Sequence, residues 1–161
     1  MRADVDVLWR TAAPADHAVV IAQLDPWWGG RHMADMLPRL FFDHFRDTSF
    51  VATAEHGSVV AFVVAFASPH DPDMGYIHFV GVHPDWRGRD LGRAAYARVF
   101  VALQDRGCRR VTAVTSPVNS ASLAFHQALG FEASAPVADY DGPGQDRIVL
   151  TRDLTDASPH T

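Results

Sequence analysis

Lysine is missing altogether: all 14 basic residues among the 161 are arginine. No lysine side chain is therefore present to be acylated. Cysteine is nearly missing as well. Cys108 stands alone, which excludes an internal disulfide and a cysteine-based zinc centre. It reads as structural, and a reducing cytoplasm fits this usage. No run approaches the roughly 18 apolar residues of a membrane span. The Asp-rich start has no basic-then-apolar signal pattern. Excess positive charge is lacking too. A net charge of −5 argues against a nucleic-acid binder that relies on a broad basic footprint. Nucleic acid and membrane are therefore not expected partners. His32, His44, His70 and His83 show no metal spacing with one another, so no metal is expected. What is present is ordinary for a globular chain, with 48% hydrophobic and 20% charged residues. The length suits one domain with a real core. Residues 1–154 are expected to form it, with 155–161 as a polar, frayed tail.

Along the chain, Val5 to Arg10 alternates and predicts a strand. Thr11 to Leu24 predicts a helix with Pro14 in its first turn. Asp25-Pro-Trp-Trp-Gly-Gly30 is a breaker cluster and predicts a loop. Met33 to Phe45 keeps helical spacing, with Pro38 forcing a kink or a helix start. Phe50–Ala54 and Val59–Ala67 predict a hairpin turning at His56-Gly57. The second run is continuously apolar, as in a strand covered on both faces. Beyond the central helix, Gly107 closes the helix and Arg109–Thr115 predicts a strand. Asn119 then opens a helix ending near Gly130, Phe131–Ser134 forms a short strand, and Arg147–Leu154 is the last strand. The strands before and after the central helix can pair in parallel through the crossover that helix supplies.

The chain is organised around Tyr76 to Ala95. Tyr76, His78, Val80 and Val82 fall on one face of a strand, which His83-Pro84 ends. A basic loop from Arg87 to Arg93 follows, with Gly88 and Gly92. It runs into a helix whose apolar residues Leu91, Ala95, Val99 and Leu103 recur every fourth position. A strand, a small-residue basic turn and a helix start make an anion cradle. Helix-start amides lack partners and carry the positive end of the dipole. Glycine lets a phosphate approach, so a diphosphate suits the turn. Neither a Walker loop nor G-x-G-x-x-G is present. The second motif is Asn119-Ser-Ala-Ser-Leu-Ala-Phe-His-Gln-Ala-Leu-Gly-Phe131. At about 100° per residue, Asn119, Ser122 and His126 fall within roughly 60° of each other on a helix.

Together the two motifs resemble those of the GNAT acyltransferases. Arg87 and Gly92 match the signature Arg/Gln-x-x-Gly-x-Gly/Ala, with Asp90 replacing its first glycine. Asp tolerates a left-handed backbone better than most residues. The second motif resembles Asn-x-x-Ala/Ser-x-x-Phe-Tyr/His-x-x-Leu-Gly-Phe, and the likeness covers most of Phe50–Leu154. The resemblance implies an α/β (α+β) fold. Its mixed, mostly antiparallel twisted sheet has about seven strands flanked by helices, with a splayed central strand pair. It implies acetyl-CoA as cofactor. Its pantetheine arm would pair with Val80, Gly81 and Val82. Arg87, Gly88, Arg89, Asp90, Leu91, Gly92 and Arg93 would hold the pyrophosphate, and Asn119, Ser122 and His126 would lie on the pantetheine side.

The implied reaction is direct acetyl transfer to a primary amine, with the amine belonging to a small molecule. His126 occupies the position where many family members have a tyrosine that protonates the thiolate, a task histidine can perform. His78 or Tyr76 would serve as base or anchor a water relay. In the family, the segments that here hold Asp25, Trp27, Trp28, Tyr140 and Asp141 wall the substrate side, and aromatic faces with carboxylates suit a cationic amine. Two alternatives stand beside this reading: a silent acyl-CoA sensor, and an enzyme using a longer acyl-CoA donor. Dimers are frequent in the family, and no residue here decides whether this chain forms one.

Overall fold

A computed structural model describes residues 7–155. The expected Val5 and the tail beyond 155 lie outside those residues. The first strand, β1, spans Leu8–Thr11, and the first helix, α1, spans Pro14–Trp27. A single 3₁₀ turn at Ala34–Met36 and the short helix α2 at Leu40–His44 follow. Strands β2 (Phe50–Thr53), β3 (Val59–Ala67) and β4 (Met74–Val82) lead to the long helix α3 (Leu91–Asp105). Then come β5 (Arg110–Thr115), α4 (Ser120–Ala128), β6 (Glu132–Ala133) and β7 (Ile148–Asp153). The seven strands form one sheet in the order β1-β2-β3-β4-β5-β7-β6. Pairs β1–β2, β2–β3, β5–β7 and β6–β7 are antiparallel. Pair β4–β5 is parallel, over Met74↔Arg110 to Tyr76↔Thr112. That is three residue pairs, against six for β5–β7.

Two of the early expectations change. The first helix starts at Pro14 and runs to Trp27, so Asp25, Pro26 and Trp27 form its last turn and not a loop. Pro26 forfeits one helical hydrogen bond, worth about 0.5–1.5 kcal/mol net. Trp27 is 4% exposed, and burying a large apolar side chain contributes about 1.5–3 kcal/mol. The helix ends immediately afterwards: Gly29 N–H donates to Pro26 O and Gly30 N–H to Asp25 O. The helical spacing from Met33 to Phe45 does not become one helix either. Pro38 separates the 3₁₀ turn from α2, and its carbonyl accepts Phe41 N–H at the start of that helix.

The described residues fall into two compact units. The first takes residues up to Phe66 together with Phe79–Ala102. In it, Val59 to Ala65 of β3 are all buried. Val20, Leu24, Trp27, Phe41 and Phe42 pack with Phe62 and Val64. Leu91 packs with Ala52, Val60 and Ala61. The β2–β3 hairpin closes as expected, with Ala54 N–H donating to Ser58 O at 2.8 Å. The carboxylate of Asp16 is buried. It accepts Ala13 N–H and two bonds from the Arg10 guanidinium at 2.8 and 2.9 Å, anchoring the start of α1. The second unit takes Ala67–His78 and residues from Leu103 on. There Val111, Ala113 and Leu150 are buried. Thr112 Oγ1 donates to Leu150 O at 2.9 Å, and Gln104 Nε2 to Leu154 O at 2.6 Å.

Candidate functional site

In the first unit, β4 ends at Val82 and one 3₁₀ turn, Pro84–Trp86, leads into the basic loop. His83 Nδ1 accepts Asp85 N–H at 3.0 Å, fixing that turn. Gly88 and Asp90 both adopt positive φ, 79° and 62°. Gly88 takes this conformation without steric penalty, and Asp90 is one of only two non-glycine residues to do so among those described. The expectation that aspartate could replace glycine by adopting a left-handed backbone holds. Asp90 O accepts Ala94 N–H at 3.0 Å. The amides of Leu91, Gly92 and Arg93 therefore have no acceptor within the helix. Leu91 turns its side chain into the core, whereas Arg89 and Arg93 are exposed. Arg89 stacks over Trp86, 4.5 Å from the ring centroid, a contact of the cation–π kind. Sequence reasoning missed this pair, although the i, i+3 spacing of Trp86 and Arg89 was a signal for it. Helix-start amides, a side-chain-free Gly92 and two guanidinium groups are a donor set that fits a diphosphate.

Arg87 behaves differently from the expectation. Its guanidinium donates to Val82 O at 3.3 Å and to Trp27 O at 2.9 Å, so it is directed to backbone carbonyls. Farther back on β4, Val80 and Val82 are half-buried, while Gly81 is buried. A Cβ at Gly81 would lie 2.5 Å from Phe62 Cε1 and 3.1 Å from Trp28 Cη2. The absent side chain thus lets two aromatic rings close on the strand. Trp28 is partly buried, its ring 5.3 Å from that of Phe79. Trp27 cannot line a substrate wall: it is in the core, against Phe62 and the edge of His83. Asp25 is also committed. Its Oδ1 accepts Met33 N–H at 2.7 Å and Ala34 N–H at 2.9 Å. These bonds, that of Met33 foremost, hold its pKa below the usual carboxylate value.

In the second unit, Asn119 is the N-cap of α4 and lies just outside the helix, because its Oδ1 accepts Ser122 N–H at 3.0 Å. Ser122 and His126 do meet, one turn apart, with Ser122 Oγ 3.4 Å from His126 Nδ1. His126 is 6% exposed, between the edges of Phe125 and Phe131. Its Nδ1 is 2.8 Å from Ser122 O. A carbonyl can only accept, so Nδ1 carries the proton. Burial lowers the pKa, against a smaller upward effect of the Ser122 bond. At neutral pH the imidazole is neutral with its lone pair on Nε2. For His126 to serve as the acid expected of it, a proton would have to reach Nε2 first.

Tyr76 is first on the same face of β4 as His78. Burial, then the nearby Tyr140 and Asp141, push its phenol up to about 12. At neutral pH the phenol stays protonated. The same influence of Tyr140 and Asp141 associates two expected substrate residues with Tyr76. Tyr140 is 47% exposed, and Asp141 Oδ2 pairs with Arg147 Nε at 2.8 Å. His78, also on β4, is half-buried. Among the described residues, no group of three or more His, Cys, Asp or Glu is arranged for a metal. None of their helices is long and apolar enough to cross a membrane.

The profile of the Acetyltransferase (GNAT) family matches residues 18–131, and the chain belongs to that family. It is 31% identical over 100 residues to the L-2,4-diaminobutyric acid acetyltransferase of Bordetella parapertussis, covering 62% of this chain and 54% of that one. It thus spans about half the length of that relative. It is 33% identical to the aminoglycoside N(6')-acetyltransferase type 1 of Salmonella typhimurium, covering 73% of this chain and 90% of that one. In fold it is similar to the diaminobutyrate acetyltransferase of Paenibacillus lautus, solved with L-2,4-diaminobutyric acid and coenzyme A. There the TM-score is 0.73 at 21% identity, over 96% of this chain and 99% of that one.

Proposed function

We propose that this protein is an N-acetyltransferase that moves an acetyl group from acetyl-CoA to a primary amine of a small molecule. The observation that carries the reading is the cradle. Positive φ at Gly88 and Asp90 delivers the chain into α3 with the amides of Leu91, Gly92 and Arg93 unpartnered in the helix. Acetyl-CoA supplies an activated thioester carbonyl for attack by the amine. The protein's share is to bind the diphosphate through these amides, with Arg89 and Arg93 adding charge-assisted bonds. The backbone of Val80, Gly81 and Val82 orients the pantetheine arm. His78 takes the proton of the amine, directly or through a water. Tyr76 donates a hydrogen bond; as the amide forms, the C–S bond breaks and coenzyme A leaves as a thiolate, which takes a proton relayed from water through His126 Nε2.

Support for a small amine comes from the relatives, whose names specify diaminobutyric acid and aminoglycosides. Trp28 in the first unit and Tyr140 in the second are each exposed enough to offer an aromatic face, the kind of surface that suits an ammonium group. Asp141 shares its charge with Arg147 and contributes less than an unpaired carboxylate. A cytoplasmic location accords with acetyl-CoA as donor. The test is a screen of diamines, amino acids, aminosugars and peptides with acetyl-CoA, reading free thiol and acetylated product. Transfer to a small primary amine is expected. Coenzyme A that leaves the melting temperature unmoved, or a preference for anionic acceptors, would refute the reading.

A further inference from the structure

Arg87 matches the family's cofactor signature, yet its guanidinium faces two backbone carbonyls. Nε donates to Val82 O, the last residue of β4, and Nη2 donates to Trp27 O, the last residue of α1. Carbonyls in the last turn of a helix lack partners within it and carry the negative end of its dipole. Those of Asp25 and Pro26 are taken by Trp28, Gly29 and Gly30 amides, and that of Trp27 is taken by Arg87. A single cation thus joins the point where β4 turns into the cradle to the point where α1 turns into the segment carrying Trp28. The Trp27 ring is fixed as well, 5.5 Å from His83 and 6.1 Å from Phe62. One residue on, Trp28 packs against Phe79 and reaches the backbone at Gly81.

We infer that Arg87 is a positioning residue, coupling the Trp28 segment to the anion cradle through its bonds to Trp27 O and Val82 O. The kinetic consequence rests on the proposed function; the coupling itself does not. If Trp28 walls the acceptor and the cradle holds the donor, Arg87 fixes the spacing of the two. Lysine replaces it poorly, because its ammonium is a flexible point charge and lacks the preorganised planar fork that aims Nε and Nη2 at two carbonyls.

Arg87→Met and Arg87→Lys test this by hydrogen–deuterium exchange without ligand. Peptides covering 27–34 and 84–93 are expected to exchange faster together, more so for the methionine variant, with the peptide covering 110–115 unchanged. Arg87→Lys keeps the charge and stands in if Arg87→Met does not fold. Faster exchange confined to 84–93 would overturn the coupling, whether or not the protein turns over. In the kinetic arm, the acceptor KM is expected to rise about tenfold, as for a small misplacement of a substrate wall. The dissociation constant of coenzyme A should rise by only a few-fold, and by the same factor at low and high salt, as for a cradle that is looser but keeps its charges. A weakening of coenzyme A binding that vanishes at high salt would mean that Arg87 contacts the diphosphate directly, and would overturn the assignment.

Discussion

Replacing Gly81 by alanine puts a methyl carbon 2.5 Å from Phe62 Cε1, 3.0 Å from Phe62 Cζ and 3.1 Å from Trp28 Cη2. Phe62 is 0% exposed and is held by the rings of Trp27 and Phe79, at 6.1 and 5.7 Å. It has nowhere to swing. Forcing a methyl into a packed core costs about 1–3 kcal/mol. For a chain of this size each kcal/mol lowers the melting temperature by about 2–4 °C, so Gly81→Ala should melt roughly 2–12 °C lower. Trp28 is only partly buried and is the ring that can yield, so the variant should also raise the acceptor KM. Thermal denaturation of Gly81→Ala, Phe62→Leu and the double variant provides the assay. Removing the Phe62 ring edge makes room for the methyl, so the double variant should lose less than the sum of the single losses. A Gly81→Ala protein that melts with the parent, or strictly additive losses, would refute the packing argument.

Further outcomes follow from the same geometry. Gly92→Glu places bulk and charge against the helix-start amides and should abolish the rise in melting temperature that coenzyme A produces; an unchanged shift would remove the cradle from Gly88–Arg93. His126 has a folded-state pKa below its ordinary 6.5 because it is buried. The unfolded chain therefore binds the proton more readily, and the stability tied to neutral His126 is full above about 6.5 and lost as pH falls through its folded pKa. Melting curves of the parent and His126→Gln across that window should converge on acidification, and parallel curves would contradict the assignment. Tyr76→Phe should leave the alkaline limb of the rate profile unchanged below pH 9, because a phenol pushed up to about 12 does not titrate there. A limb that disappears would make Tyr76 the base. Trp28→Ala should raise the acceptor KM while leaving coenzyme A binding intact, measured by initial rates and calorimetry.

Local chemistry was legible in the chain itself. The four-residue period of Leu91, Ala95, Val99 and Leu103 is the buried face of α3, each 6% exposed or less. The unbroken apolar run of β3 is a strand buried from Val59 to Ala65. His56-Gly57 marked the hairpin, Asn119 the cap and Asp90 the left-handed turn, because each depends on backbone preferences acting over a few residues. Side-chain commitments depend on groups distant in sequence, and those only the tertiary structure decided. Arg87 finds its carbonyl partner 60 residues away at Trp27. Trp27 draws Pro26 into a helix because a core is there to receive it. Asp25 spends an oxygen on the amides of Met33 and Ala34. His126, spaced like an acid catalyst, is buried and neutral because Phe131 and its own helix carbonyl enclose it. A pattern of residues states which groups are present, but protonation and hydrogen-bond partners follow from desolvation and contact, which exist only once the chain has folded.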